Sequence, residues 1–180
     1  MDLDGWLPHP EIVTRHHRRA AAGADALWDA ARAVRLDQTR TIGRLVRWRI
    51  PGVPPRQSFM GLLATDPFTV LEEGEHHSIS GLCGRIWTLQ RDYAKIDGPD
   101  DFLAWDAPRT VRVLFAHWVT EDSDGRARLH SEARVQPTDR IATMRLRALW
   151  LAVGPFERLI GAEPLALAAA RAEAAAGRHA

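Results

Sequence analysis

Three polar side chains sit among apolar neighbours where they could do chemistry: His117 in "VLFAHWV", Tyr93 in "RDYAKI" and Ser131 in "RLHSEAR". An imidazole titrates near neutral pH, so it can act as acid or base. When neutral it offers one hydrogen-bond donor and one acceptor. His117 and Tyr93 are the candidate catalytic pair, with proton transfer as their chemistry. The alternative is a core histidine whose ring is satisfied by the backbone or by Tyr93.

Other residues invite chemistry that their surroundings argue against. His16-His17 and His76-His77 are two adjacent pairs. Neighbours on a strand point to opposite faces, so each pair offers one ligand to any one site. His17 and His77 meet only if their strands lie side by side. No Cys or Asp completes a tetrahedral set at recognised ligand spacing, so no metal is expected. Cys83 in "GLCG" lacks the electropositive, exposed setting of a nucleophile and reads as a small buried side chain. Gly81 and Gly84 read as a bulge or bend that lets a sheet curl.

These residues must be positioned by strands and helices that the patterning marks out. "EIVTRHHRRAAAG" reads as a first strand. "ADALWDAARAVRL" follows as a helix with Leu27, Trp28, Ala31 and Val34 on one face. "DQTRTIGRLVRWRIPG" reads as a second short helix with Ile42, Leu45 and Val46 inward. A hairpin turns at Gly74 and Glu75. "FLAW" reads as a short strand. A second hairpin turns at Asp124-Gly125. In its outgoing strand Val111, Val113, Phe115, His117 and Val119 share the apolar face. In its returning strand Ala127, Leu129, Ser131, Ala133 and Val135 face inward. Arg126, Arg128, His130, Glu132 and Arg134 face outward, as a solvated convex surface.

"QPTDRIATMRLRALWLAVGPFERLI" begins the last helix, capped by Thr138 or Asp139. Ile141, Met144, Ala148, Ala152, Phe156 and Leu159 form one stripe. Ala142, Leu146, Leu149, Val153 and Ile160 form an adjoining one. Together they exceed the roughly 100° stripe of a surface helix, so the helix needs a partner that wraps it. Met144 and Phe156 are expected against that partner, and Pro155 is expected to kink or break the helix.

Composition narrows the function. With 24 basic and 23 acidic residues, the chain has no excess charge to attract nucleic acid. Lys95 is the single lysine, and the Arg- and Ala-rich usage reads as genomic bias. One cysteine permits no internal disulfide and suits a reducing compartment. The start, "MDLDGWLPHP", does not read as a signal peptide, and no apolar run reaches the roughly 20 residues that span a bilayer. A cytoplasmic location is expected. The chain is read as one domain over 1–180, with an extension at 1–10 and a disordered tail at 173–180.

The stretches "RHHRRAAAGADALWDAARAV", "GLCGRIW", "DDFLAWDAPRTVRVLFAHWV", "LHSEARVQPTD" and "LRALWLAVGPFERLI" resemble the START-related, or SRPBCC, superfamily in an uncharacterised bacterial branch. The resemblance spans about Ile12 to about Ala172. It implies the Bet v 1-like, helix-grip fold. That fold is α+β: a curved antiparallel sheet grips a long C-terminal helix, with two short helices after the first strand. It also implies a cavity between sheet and helix for an apolar or aromatic small molecule. The expected lining is Trp28, Trp87, Phe115, His117, Leu129, Ser131, Ala133, Met144, Ala148, Ala152 and Phe156, and no cofactor is expected. Two alternatives stand: a cyclase- or dehydratase-like enzyme using the same cavity, and a regulatory protein-interaction module with a filled interior.

Overall fold

The alternating run before Asp124-Gly125 and the one after it form β5 (Val111–Glu121) and β6 (Ala127–Pro137), paired antiparallel from Val111↔Pro137 to Glu121↔Ala127. Gly125 takes φ +72°, the left-handed conformation that the tight reversal demands. This computed structural model describes residues 1–178 apart from Pro51, Leu89 and Arg91, and their side chains apart from Arg49 and residues 155–160. Around the central hairpin lie β1 (Ile12–Ala20), β2 (Thr69–Gly74), β3 (His77–Gly84) and the short β4 (Tyr93–Ala94). The order is β1-β6-β5-β3-β2, with β4 on β3, and every pairing is antiparallel.

Among the described residues there are five α-helices, α1 (Ala24–Arg32), α2 (Ile42–Arg49), α3 (Phe59–Leu62), α4 (Pro99–Ala104) and α5 (Arg140–Ala176), and a 3-10 turn at Leu36–Gln38. The curved sheet closed by a C-terminal helix is the expected α+β helix-grip arrangement. Asp139 caps α5, its Oδ1 accepting the Ala142 amide at 2.7 Å. "FLAW" is not a strand. Phe102, Leu103 and Ala104 belong to α4, which starts at Gly98-Pro99-Asp100-Asp101 with proline in its first turn and two acids at its amino end.

The grip is made by the carboxyl half of α5. Leu165, Ala168, Ala169 and Ala172 pack on Leu27, Trp28, Ala31 and Val34 and on Ala127 and Leu129 of the sheet. Alanines there let the helix backbone come close to its neighbours. The helix continues to Ala176, past the start of the expected tail at 173, and Glu173 Oε1 accepts the Ala21 amide at 3.1 Å.

Of the two stripes expected to be covered, the amino half of α5 turns inward the one that holds Ala142 and Leu146, and leaves out the one that begins at Ile141. Ala142 and Leu146 are fully buried, whereas Met144 is 64% exposed and Ala148 and Ala152 are exposed. Both stripes are apolar, so the sequence pattern does not choose between them, and the grip at Leu165–Ala172 fixes the rotation. α5 is one continuous helix from Arg140 to Ala176, so the chain does not break at Pro155, and the expectations for Phe156, Leu159 and Ile160 fall outside the described side chains.

The convex face is not uniformly wet. Residues 1–10 and α4 cover part of it, burying Leu3, Leu7 and Phe102 on Leu71, Ile79, Cys83, Leu114 and Ala116. Gly81 has no side chain because Phe102 and Leu71 occupy that space: a Cβ would stand 2.7 and 2.8 Å from them. Glu132 and Arg134 point outward as the alternation predicts, yet both are buried. Arg134 Nε donates to Glu132 Oε1 at 2.6 Å, and its Nη1 donates to Asp4 Oδ1 at 2.5 Å and to the Leu7 carbonyl at 3.2 Å. Buried charges persist when they are paired in this way.

Candidate functional site

Between the concave face, α2, α3 and the middle of α5 lies a cavity of about 400 Å³. The floor follows strand alternation: Ile12, Thr14 and His16 of β1, Ser131, Ala133 and Val135 of β6, Val113, Phe115 and His117 of β5, and Leu82 of β3. Leu149, Trp150 and Val153 of α5 form the roof. Ile42, Leu45 and Val46 of α2 and Phe59 and Leu62 of α3 close the end. Phe68, Ile86 and Tyr93 complete the wall. The walls are mostly hydrocarbon, with a few polar groups on the sheet side.

His117 is 3% exposed. Its Nε2 shares a hydrogen bond with Ser131 Oγ at 3.1 Å, the ring's one hydrogen bond among the described residues. The two residues are cross-strand partners, so the sheet register sets the pair. Phe59 meets the imidazole edge to face, with ring centroids 5.7 Å apart. Burial without an opposite charge pushes the His117 pKa down to about 4. The ring is therefore neutral at neutral pH. It either accepts the Ser131 hydroxyl hydrogen and carries its own on Nδ1, or donates from Nε2.

Of the residues expected at the cavity, Phe115, His117, Ser131, Ala133 and Tyr93 line it. Trp28 and Leu129 are packed instead into the core beneath α5. Trp87 is half-buried at the edge of the neighbouring core, with the Arg145 guanidinium 6.0 Å from its ring centroid. Met144, Ala148 and Ala152 are on the exposed side of α5, and Phe156 is outside the described side chains. Thr14 and His16 were missed, although counting in twos from apolar Ile12 puts both on the inner face. Ile42, Leu45 and Val46 were expected on the inward face of α2 but not at the cavity, and the α3 contribution was missed because a single helical turn leaves no spacing signature.

The other candidates settle into packing. Cys83 is fully buried on the convex side, and burial pushes its thiol up to about 12, which keeps it protonated and inert. His17 and His77 lie on β1 and β3, separated by β6 and β5. His17 faces His130, with ring centroids 6.2 Å apart, and His130 stacks on Trp118 at 4.9 Å. His76 Nε2 lies 2.7 Å from Asp25 Oδ1, and with Glu75 these form the one cluster of three metal-capable groups among the described residues. Two of its three members, Asp25 and Glu75, are exposed on the surface.

Among the described residues no helix is long and apolar enough to cross a membrane. No protein-family model matches the chain, and no curated protein matches it. Similar solved structures include an aromatase/cyclase from Streptomyces sp. R1128, 15% identical, covering 90% of this chain and 93% of that one at a TM-score of 0.32. Norcoclaurine synthase from Thalictrum flavum is 14% identical, covering 93% and 87%, also at 0.32. A hypothetical protein from Helicobacter pylori is 8% identical, covering 94% and 93%, at 0.41. At these identities and scores the likenesses decide neither what this chain binds nor what it catalyses.

Proposed function

We propose that this protein binds an apolar or aromatic small molecule in the cavity between the sheet and α5, with the His117–Ser131 pair as its polar anchor. The observation that carries this reading is a space of about 400 Å³ walled by hydrocarbon with few polar groups. That is the size and character of small-molecule sites. A neutral imidazole in such a wall can meet one ligand oxygen or nitrogen while its carbon edge packs on apolar surface.

The enzyme reading uses the same residues and is the weaker one. A general base works best with a pKa near the working pH, and His117 sits at about 4. That favours an anchoring role over proton transfer. The regulatory reading needs a filled interior, and the cavity speaks against it.

Titration with an anilinonaphthalene sulfonate dye tests the proposal. Wild-type protein should show one saturable site, and Ala133→Phe, which sets a ring into the cavity floor, should abolish it. Undiminished dye binding by Ala133→Phe would remove the cavity from consideration. Native mass spectrometry of wild-type protein purified from its own host should also reveal a bound small molecule.

A further inference from the structure

The chain from Arg40 to Thr65 holds five arginines and no acidic residue, although the whole protein is balanced at 24 basic and 23 acidic residues. Several arginines elsewhere, Arg15, Arg19, Arg35, Arg85, Arg134 and Arg147, form ion pairs. Among the described residues no carboxylate lies within ion-pair distance of the Arg40, Arg44 or Arg47 side chains. Glu163 lies beside this segment, and its carboxylate accepts the backbone amides of Arg40, Thr41 and Ile42. Among the described residues the Arg44 and Arg47 side chains of α2 therefore have no carboxylate partner.

The same helix exposes hydrocarbon. Trp48 is 67% exposed and Leu45, one turn earlier, is 40% exposed. Leu45 also lines the cavity, as does Val153 of α5, which is 38% exposed. Residues that line the cavity yet remain open to solvent mark its mouth. Cationic side chains and exposed apolar side chains thus share one rim.

We propose that this rim docks on an anionic lipid bilayer. Trp48 and Leu45 would enter the headgroup layer, and Arg44 and Arg47 would contact lipid phosphates. Arginine attracts any polyanion, but a nucleic acid offers no hydrocarbon for Leu45 and Val153. The headgroup–acyl boundary satisfies both kinds of side chain and suits tryptophan in particular. Docked in this way, the mouth opens into the bilayer, and an apolar molecule could pass between lipid and cavity without crossing water.

Co-sedimentation with phosphatidylcholine vesicles, with and without phosphatidylglycerol, tests this directly. Binding should require phosphatidylglycerol and weaken with added salt. Arg44→Gln combined with Arg47→Gln should weaken it about thirtyfold, and Trp48→Ala about tenfold. All three side chains are exposed, so unchanged thermal unfolding should show that the fold survives. Arg126→Gln, in the hairpin turn, should leave binding unchanged. Equal binding to both vesicle types, or no binding to either, would overturn the proposal. So would single-stranded DNA bound more tightly than vesicles, or self-association that Trp48→Ala abolishes. Dye binding to the interior is measured without vesicles, so failure of docking is distinguishable from failure of the cavity.

Discussion

The carboxylate of Glu163, on α5, accepts the backbone N–H of Ile42, the first residue of α2, at 3.2 Å. The same oxygen accepts Thr41 at 3.0 Å, and the other oxygen takes Arg40. Thr41 precedes α2 and supplies no side-chain cap of its own. A residue more than a hundred positions away therefore does the work of an N-cap and places a negative charge at the positive end of the helix. Glu163→Ala should cost about 1 kcal/mol. It should also speed hydrogen exchange at Leu45 and Val46 while leaving the sheet amides unchanged. Equal protection of α2 in both proteins would show that the cap is dispensable.

His117 makes stability depend on pH. Its folded pKa of about 4 lies below the ordinary value of 6.5. Between those values the unfolded chain binds more protons than the folded one. Stability is therefore full above the ordinary value, falls as pH falls through the window, and stops falling below about pH 4. The loss should be on the order of 3 kcal/mol. In urea unfolding, His117→Phe should lose much less stability than wild type across that window. Parallel pH profiles would mean that the ring is not buried in the neutral form.

Rotation of α5 can be read from two substitutions. Leu146 is fully buried and Met144 is 64% exposed. Leu146→Ala should cost about 2–5 kcal/mol, and Met144→Ala should stay within about 0.5 kcal/mol. The reverse ranking in denaturant unfolding would restore the stripe that begins at Ile141.

Gly81→Ala should destabilise by about 1–3 kcal/mol, the usual range for overpacking. Its new methyl meets Phe102 and Leu71. Pairing it with Phe102→Leu should recover part of the loss in a double-mutant cycle. Strict additivity would show that α4 does not press on this strand.

The parts that were legible in the sequence were those with a local code. Asp124-Gly125 between alternating runs gave the central hairpin. Alternation then gave the inner face that carries Phe115, His117, Ser131 and Ala133. The first helix showed its face because Leu27, Trp28 and Ala31 are apolar among polar neighbours. The last helix hid its face because Met144, Ala148 and Leu146 are all apolar, and only its distant packing chooses among them. Residues from 173 on read as a tail because alanine and glycine there mark no face, yet the helix runs on to Ala176 and Glu173 bonds the Ala21 amide. "FLAW" was too short for periodicity to speak, while the Gly-Pro-Asp-Asp before it carried the helix signal. Covering of the convex face by residues 1–10 depends on a contact across most of the chain, which no local pattern records.

None of the buried side chains that hold α5 against α1 also lines the cavity. The wall can therefore change its shape and polarity through mutation while the anchoring alanines and leucines stay as they are. Such a separation lets one scaffold explore different ligands in its descendants without passing through unfolded intermediates.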